Sequence, residues 1–278
     1  MRPLIFCLLL FTTNTILLSQ TEISGKVIDE IGDAIPFATI SLNGKTQGTI
    51  ANQNGLFYFS CKTEEADTIQ ISCIGYESVI LPISKDNSNQ TITLNKKSYE
   101  IPDITITRVQ RKLKRIKDNK RARCSIRSHL GTQIVTFIEL PKGSTLNDVT
   151  FYCKRSLNTP IVGVQVYSMN HKMEPKESLL TENYTTEISR WSSKVHFDLK
   201  KYNITCSKHG LFVGIVFMGE PNEDPKKQNK ANPYLYLSSR TQKAITYFKS
   251  YHLSFIQQNF PDTKHRFLNL ECSYSYYE

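Results

Sequence analysis

Short apolar segments with strand-like alternation, separated by turn signals, run through most of this 278-residue chain. The dipeptides Asn43-Gly44 and Asn54-Gly55 interrupt such segments, and both are typical of tight β-turns. A spacing of roughly 8–12 residues between turns, without helical periodicity, predicts antiparallel strands that pack as a sandwich. We therefore expect an all-β protein, with its first β-sandwich over residues 21–107.

Residues 1–20 have the order of a secretory signal peptide. Met1 and Arg2 give a positive start, and the apolar run from Leu4 to Leu18 follows. The alternative, a membrane anchor, is weaker because the run is short for a span and is interrupted by polar residues at 12–15. We expect cleavage near Ser19 or Gln20 and export to the periplasm, the outer membrane surface or the extracellular space.

Six cysteines remain after that cleavage, and an exported chain can oxidise them. A bridge between Cys61 and Cys73 requires their strands to lie in different sheets. Isolated, small hydrophobic cysteines at strand ends are the equally simple alternative.

Residues 108–127 carry the excess positive charge. They contain ten Lys or Arg and one Asp, which gives this segment a net charge of +9. The whole chain has a net charge of +10, and removal of Arg2 with the signal peptide leaves +9. The rest of the mature chain is therefore neutral. Val109, Leu113 and Ile116 recur at i, i+4 and i+7, which predicts a short basic helical linker. Either this helix is a solvated connector, or it binds an anionic surface or other polyanion. The expected polyanion-binding residues are Arg111, Lys112, Lys114 and Arg115.

Residues 128–278 again alternate, with at least seven strand-like segments and longer polar loops such as 219–232. This pattern predicts a jelly-roll-like C-terminal β-sandwich. The expected architecture is therefore two β-sandwiches joined by the basic helical linker. Since export removes the chain from intracellular nucleic acid, no nucleic-acid partner is expected.

Five short stretches occur in order over about residues 22–95: Ser24-Gly25-Lys26-Val27, Ile35-Pro36-Phe37-Ala38-Thr39-Ile40, Gly48-Thr49, Asn54-Gly55-Leu56-Phe57 and Ile74-Gly75-Tyr76-Glu77. In this order and at this spacing they resemble the carboxypeptidase regulatory-like domain, a transthyretin-like sandwich common at the start of bacterial cell-envelope proteins. The resemblance implies a non-catalytic folding or docking role in the cell envelope. The family often has an acidic residue where Asn52 and Asn54 stand here, so ion binding at that turn is not carried over.

In the same segment, we expect Gly48 and Gly55 to adopt positive φ at turns. Phe57, Phe59 and Tyr76 are expected to fill the sandwich core.

The sequence lacks several common motifs of catalysis and metal binding. No H-E-x-x-H, G-x-S-x-G or phosphate-binding loop occurs. Cys206 and His209 form a C-x-x-H pair without the second pair that structural zinc requires, so no metal or cofactor is expected. The single tryptophan, Trp191, either stacks on a sugar ring or plugs the sandwich core or edge.

These observations favour a non-catalytic secreted envelope protein that docks to an envelope protein or a surface glycan. One alternative is a jelly-roll carbohydrate-binding module with Trp191 at its site. A second is an unrecognised hydrolase whose active site lies in the long C-terminal loops.

Overall fold

The computed structural model describes residues 20–62, 67–83, 89–98, 112–117, 124–155, 158–221, 224–227, 233–239, 245–258 and 268–278. Within these ranges the regular elements are strands, apart from two single-turn 3-10 helices at Lys200–Tyr202 and Pro225–Lys227. No helix in this part of the chain has the length and apolar character needed to cross a membrane. The expectation of an all-β protein is confirmed. The predicted signal peptide lies outside the described residues except for Gln20.

The N-terminal domain is a sandwich of two sheets, with strand orders β4-β1-β7 and β3-β2-β5-β6. Its core forms because alternate residues of each strand point inward, as Phe57, Phe59 and Cys61 do on β4. The predicted core positions of Phe57 and Phe59 are confirmed, and Tyr76 packs half-buried against the same core. The strands are β1 Gln20–Ile28, β2 Thr39–Leu42, β3 Gly48–Ile50, β4 Leu56–Lys62, β5 Thr68–Ser72, β6 Val79–Pro82 and β7 Gln90–Thr93.

The turn before β4 is built as its sequence predicts. Gly55 has a φ of 74°, and the Asn52 side-chain oxygen accepts hydrogen bonds from the backbone N–H groups of Asn54 and Leu56 at 2.9 and 3.0 Å. For Gly48 the prediction of positive φ is wrong. There the glycine is needed for close approach, because a Cβ would lie 2.5 Å from the carbonyl oxygen of Ile40 on β2.

The C-terminal region is a larger β-sandwich. One face is a seven-stranded sheet of order β13-β12-β16-β10-β18-β19, with β14 also pairing β12; the other comprises β15-β11-β21-β8 and an adjoining β20-β17-β9 sheet. The structure establishes the sandwich-like sheets, and the jelly-roll assignment stays a prediction. The strands are β8 Leu113–Ile116, β9 Cys124–Arg127, β10 Thr132–Ile138, β11 Thr145–Tyr152, β12 Ile161–Met169, β13 Pro175–Ser178, β14 Thr185–Glu187, β15 Lys194–Asp198, β16 Leu211–Gly219, β17 Tyr234–Ser239, β18 Thr246–Ser250, β19 Ile256–Gln258, β20 Leu268–Leu270 and β21 Cys272–Tyr277.

The seven-stranded sheet is covered on both faces, which explains why every residue of β16 is buried. Its inner face packs in the sandwich core through residues such as Val164 and Val213. Its outer face carries a second apolar cluster that includes Tyr167, Phe212 and Tyr247. Beside that cluster, the outer face meets the N-terminal domain.

The prediction of a helical linker is wrong for the described part of residues 108–127. Leu113–Ile116 is β8, an antiparallel partner of β21, and Cys124–Arg127 is β9, a partner of β17. The apolar spacing of Leu113 and Ile116 suits a helix, but hydrogen bonding to the edge of β21 overrides that local preference. Residues 108–111 and 118–123 lie outside the description.

The six described cysteines are all free thiols. Cys61 on β4 and Cys73 after β5 belong to different sheets, as a bridge would have required, yet they are not bonded to each other. Cys61, Cys153, Cys206 and Cys272 are buried, in agreement with the alternative of small hydrophobic residues.

Candidate functional site

One aromatic ring of the N-terminal domain is buried against the C-terminal domain, in the same hydrophobic cluster as Val216 and Met218. Phe37, in the turn after Pro36, has a φ of 59°, in the left-handed region that costs a non-glycine residue about 1–3 kcal/mol. Its side chain is nevertheless 8% exposed and packs in the C-terminal core cluster with Ile50 of β3. Burying a phenylalanine contributes about 1.5–3 kcal/mol, which offsets the strain of the turn.

His252 of the C-terminal domain is held between two serines of the N-terminal domain. Its Nδ1 lies 2.7 Å from Ser41 Oγ on β2, and its Nε2 lies 2.7 Å from Ser72 Oγ on β5. Burial lowers the pKa of His252 to about 4, with a further contribution from the positive charge of Lys249. The ring is therefore neutral at pH 7, so one nitrogen donates and the other accepts. We call His252, Ser41 and Ser72 the His252 clasp.

The segments at 73–75 and 181–183 form a second direct contact between the domains. Asn183 Nδ2 lies 3.2 Å from Cys73 Sγ and 3.5 Å from the Phe37 carbonyl oxygen. Gly75 has a φ of 92°, and a Cβ there would lie 2.4 Å from the carbonyl oxygen of Thr181. The joint therefore depends on a glycine at this position.

A cavity of about 480 Å³ lies between the two domains. Its floor is the outer face of the seven-stranded sheet, and its roof is the N-terminal segment around 72–78 together with Phe37 and Thr39. We call it the interdomain cavity. Its principal polar side chains from the C-terminal domain are Gln133, Gln165, Tyr167, Lys176, Glu177, Ser178, Asn183, Lys249, Tyr251 and His252, and those from the N-terminal domain are Thr39, Ser72, Tyr76, Ser78 and Lys97.

The floor of the cavity presents hydrogen-bond donors. Lys249 on β18 and Gln133 on β10 are directly paired across the two strands. The hydroxyl of Tyr167 shares its single proton between Gln133 Oε1, at 2.5 Å, and Gln165 Oε1, at 3.0 Å. Burial raises the pKa of Tyr167, so this hydroxyl keeps its proton.

Cys73, His252 and Asn183 line the same cavity, and these are residue types that cysteine hydrolases use. Burial raises the pKa of the Cys73 thiol to about 12, whereas a reactive cysteine needs a lowered pKa. Both ring nitrogens of His252 are engaged by serines, so neither faces the thiol as a base. Cys73 and His252 therefore do not form a thiolate–imidazole pair in this arrangement.

Trp191 lies outside this cavity, on the surface of the C-terminal domain. Its side chain is 62% exposed, so the prediction of a core plug is wrong, whereas a role at the sandwich edge stays a prediction. It has a φ of 64° in a turn closed by the hydrogen bond from Ser192 N to the Ser189 oxygen at 2.9 Å. Such a position favours glycine or asparagine, and tryptophan there is strained.

The turn at Trp191 adjoins a second exposed aromatic residue. The backbone N–H of Cys153 donates to Ser193, and that of the next residue, Lys154, donates to Tyr234. The ammonium of Lys154 stands 4.9 Å from the centre of the Tyr234 ring, whose residue is 41% exposed. We call the residues Trp191, Tyr234, Arg190, Lys154, Arg155 and Lys194 the Trp191 surface.

The predicted polyanion-binding residues fall on the edge strand β8 and beside it. Lys112 and Arg115 are exposed, and Arg111 lies outside the described residues. Lys114 forms an ion pair with Glu278, whose hydrogen bond raises the pKa of the lysine. Of the four residues, Lys114 is therefore already partly neutralised.

The Cys206–His209 pair is not part of a metal site in the described residues, and the clasp and cavity residues were not indicated by the sequence. In the described ranges no cluster of His, Cys, Asp and Glu is arranged to hold a metal ion, and Cys206 is buried while His209 is exposed. The clasp and cavity residues were not predicted, because His252 and Ser41 are 211 residues apart and no local motif marks either one.

The chain matches one known family and shows weak similarity to solved structures. Residues 23–106 match the family described as "CarboxypepD_reg-like domain". A search of curated proteins found no match. Two solved structures are similar to the chain at 10% sequence identity. One is a variant of the clostridial cysteine protease Cwp84 after propeptide cleavage. The other contains the cysteine protease and lectin-like domains of Cwp84, a surface layer associated protein of Clostridium difficile.

The first of these structures has a TM-score of 0.44, with 86% of this chain and 65% of that chain covered. The second has a TM-score of 0.39, with 87% and 58% covered. The chain thus spans less than two thirds of either protein, and scores this low do not establish a shared fold. The family match agrees with the two-sheet architecture described above, and on both grounds the N-terminal part of the chain is a carboxypeptidase regulatory-like domain.

Proposed function

We propose that this chain is an exported, non-catalytic protein of the cell envelope that docks to another envelope component through the Trp191 surface. The observation that carries the proposal is the exposure of Trp191 in a strained turn, whose own and hydrogen-bonded neighbouring segments carry a second exposed aromatic residue and four exposed basic residues. Export is supported by the signal-peptide pattern of residues 1–20. A docking role is also what a carboxypeptidase regulatory-like domain implies.

The composition of the Trp191 surface matches that of interaction hot spots. Tryptophan, tyrosine and arginine carry most of the binding energy at protein interfaces. The turn that presents Trp191 is braced, because Ser192 Oγ donates to the Lys194 oxygen at 2.6 Å. A braced, strained position of this kind is common at binding sites.

The charge of the same surface indicates the chemistry of the partner. Residues 152–155 and 189–194 contain four Lys or Arg and no Asp or Glu. An acidic face on an envelope protein complements this surface and would steer the encounter. The second candidate is a surface glycan, supported by the 62% exposure of Trp191, whose ring face suits stacking on a sugar.

The absence of catalysis is part of the proposal. It is supported by the protonated state of the Cys73 thiol and by the engagement of both ring nitrogens of His252. Steady turnover of a peptide or glycan substrate by the purified chain would contradict it.

The docking proposal is tested by site-specific photo-crosslinking in the native envelope. We expect Trp191→p-benzoylphenylalanine to capture one recurrent acidic protein, and Arg190→Ala in the same chain to reduce its yield. The matched control is the same crosslinker at Ile31, which is 77% exposed on the N-terminal domain. Equal adducts at both positions, or none at 191, would contradict docking through this surface. Adducts removed by glycosidases would favour the glycan.

A further inference from the structure

Lys249 lines the interdomain cavity and has no carboxylate partner among the described residues. Lys249 is half-buried there, and burial lowers the pKa of its ammonium. Its ammonium stands 5.2 Å from the centre of the Phe255 ring, and no ion pair joins it to a carboxylate of the described residues. The acidic residue among those that line the cavity, Glu177, is paired with Lys176 at 2.7 Å. Because a desolvated charge is costly when unpaired, this position favours an anion from outside the chain.

Two amide groups extend the donor character of the same floor. Tyr167 holds the side-chain oxygens of Gln133 and Gln165 with its hydroxyl, so the two NH2 groups are directed elsewhere. Both glutamines line the cavity, and Gln165 is 3% exposed. Each NH2 group is a hydrogen-bond donor with no acceptor role. Together with Lys249 they form a donor cluster.

The charge of this cluster suits a carboxylate. Lys249 is the cation within this donor cluster and matches the single charge of a carboxylate, while Lys176 is paired with Glu177 and Lys97 lies on the N-terminal wall of the cavity. A phosphate monoester carries nearly two negative charges at neutral pH and would need a second cation at the cluster. The oxygens of a carboxylate accept hydrogen bonds from amide NH2 groups and form charge-assisted bonds with an ammonium. The remaining wall contributes hydroxyls from Thr39, Tyr76 and Ser78.

The size of the cavity suits a small molecule. At about 480 Å³ it lies within the range of roughly 300–1,000 Å³ that ligand sites occupy. Hydroxyl-bearing walls complement hydroxyl groups on the ligand, and tyrosine rings complement its C–H faces.

We propose that the interdomain cavity binds a small hydroxylated carboxylate, such as a sugar acid, with its carboxylate at Lys249 and the amides of Gln133 and Gln165. This site is separate from the Trp191 surface, and the two domains must be joined for it to exist. Docking at Trp191 and binding in the cavity can therefore fail independently.

Calorimetric titration of the full chain tests the site, with D-glucuronate and D-galacturonate as probes. We expect at least one sugar acid to bind. D-glucose lacks the carboxylate, and its affinity should be lower by about tenfold or more. Lys249→Met removes the charge but keeps the aliphatic stem, so it should fold and lose about tenfold or more in sugar-acid affinity. The matched control is Lys172→Met, an exposed lysine outside the cavity, which should bind as the unaltered chain does.

A second variant keeps the test decisive if Lys249→Met alters folding. Gln133→Met preserves length and removes only the amide, and it should also weaken binding. The proposal is overturned if neither sugar acid binds at millimolar concentration, or if binding is unchanged in both variants. Inorganic phosphate that binds in a Lys249-dependent manner, without sugar-acid binding, would overturn the carboxylate assignment.

Discussion

Acid should weaken this protein through His252, and the size of the effect follows from its burial. The folded pKa is about 4, against an ordinary value of 6.5. Between these values the unfolded chain binds more protons than the folded chain, so stability is present above pH 6.5 and is lost as pH falls towards 4. From pH 7.5 to pH 5 the linkage relation gives a loss of about 2 kcal/mol from this one histidine.

The assay is urea unfolding followed by far-ultraviolet circular dichroism at several pH values between 7.5 and 5. His252→Gln removes the titrating ring while retaining an amide for Ser41 and Ser72. We expect the variant to be less stable than the unaltered chain at pH 7.5, and the difference to shrink by about 2 kcal/mol at pH 5. Carboxylates titrate equally in both chains, so they cancel in this difference.

His209 supplies the control, because it is exposed and lies outside the joint. His209→Gln leaves the hydrogen bonds of the His252 clasp in place, so it should not reproduce the effect of His252→Gln. If His252→Gln runs parallel to the unaltered chain, the ring is not buried and neutral as described, and the reasoning on the clasp fails.

Two further predictions concern the joint and the basic edge strand. Gly75→Ala should lower the free energy of unfolding by more than Gly143→Ala does. Both glycines have positive φ, so each variant should lose about 1–2 kcal/mol from backbone strain, but of the two only Gly75 has neighbouring backbone where a Cβ would stand. Equal losses in urea unfolding would exclude the close contact at Gly75. If β8 binds polyanions, the affinity for heparin should fall steeply as salt is added. The double variant Lys112→Gln and Arg115→Gln should reduce the slope of log affinity against log salt concentration by about two, and Lys114→Gln should change this slope less. Salt-insensitive heparin binding would contradict this function of β8.

Local pattern was sufficient to predict most of the N-terminal sandwich. On β4 the alternation of apolar and polar residues matches the alternation of buried and exposed positions. The turn at Asn54-Gly55 was predictable because its φ requires glycine and its asparagine hydrogen-bonds locally. The strand β3 was not predicted, since Gly48–Ile50 is too short to show a period.

The failures share one cause, which is stabilisation by residues distant in sequence. β8 and β9 are strands because β21 and β17 offer them hydrogen-bonding edges, and nothing within residues 108–127 indicates those partners. The His252 clasp could not be predicted for the same reason. The role of His252 depends on Ser41 and Ser72, which are distant in sequence and belong to the other domain. Trp191 was recognised as a candidate from its residue type, but its exposure depends on a turn that local sequence would ordinarily assign to glycine.

Lys249 connects the proposed ligand site to the joint. Its positive charge contributes to the low pKa of His252, and both residues line the interdomain cavity. An anion bound at Lys249 would reduce that contribution and raise the pKa of His252, so the folded chain would lose less stability on acidification. By linkage, protonation of His252 would then favour the bound anion to the same extent. The cavity is therefore placed where its occupancy and the stability of the joint depend on each other, which neither domain could provide alone.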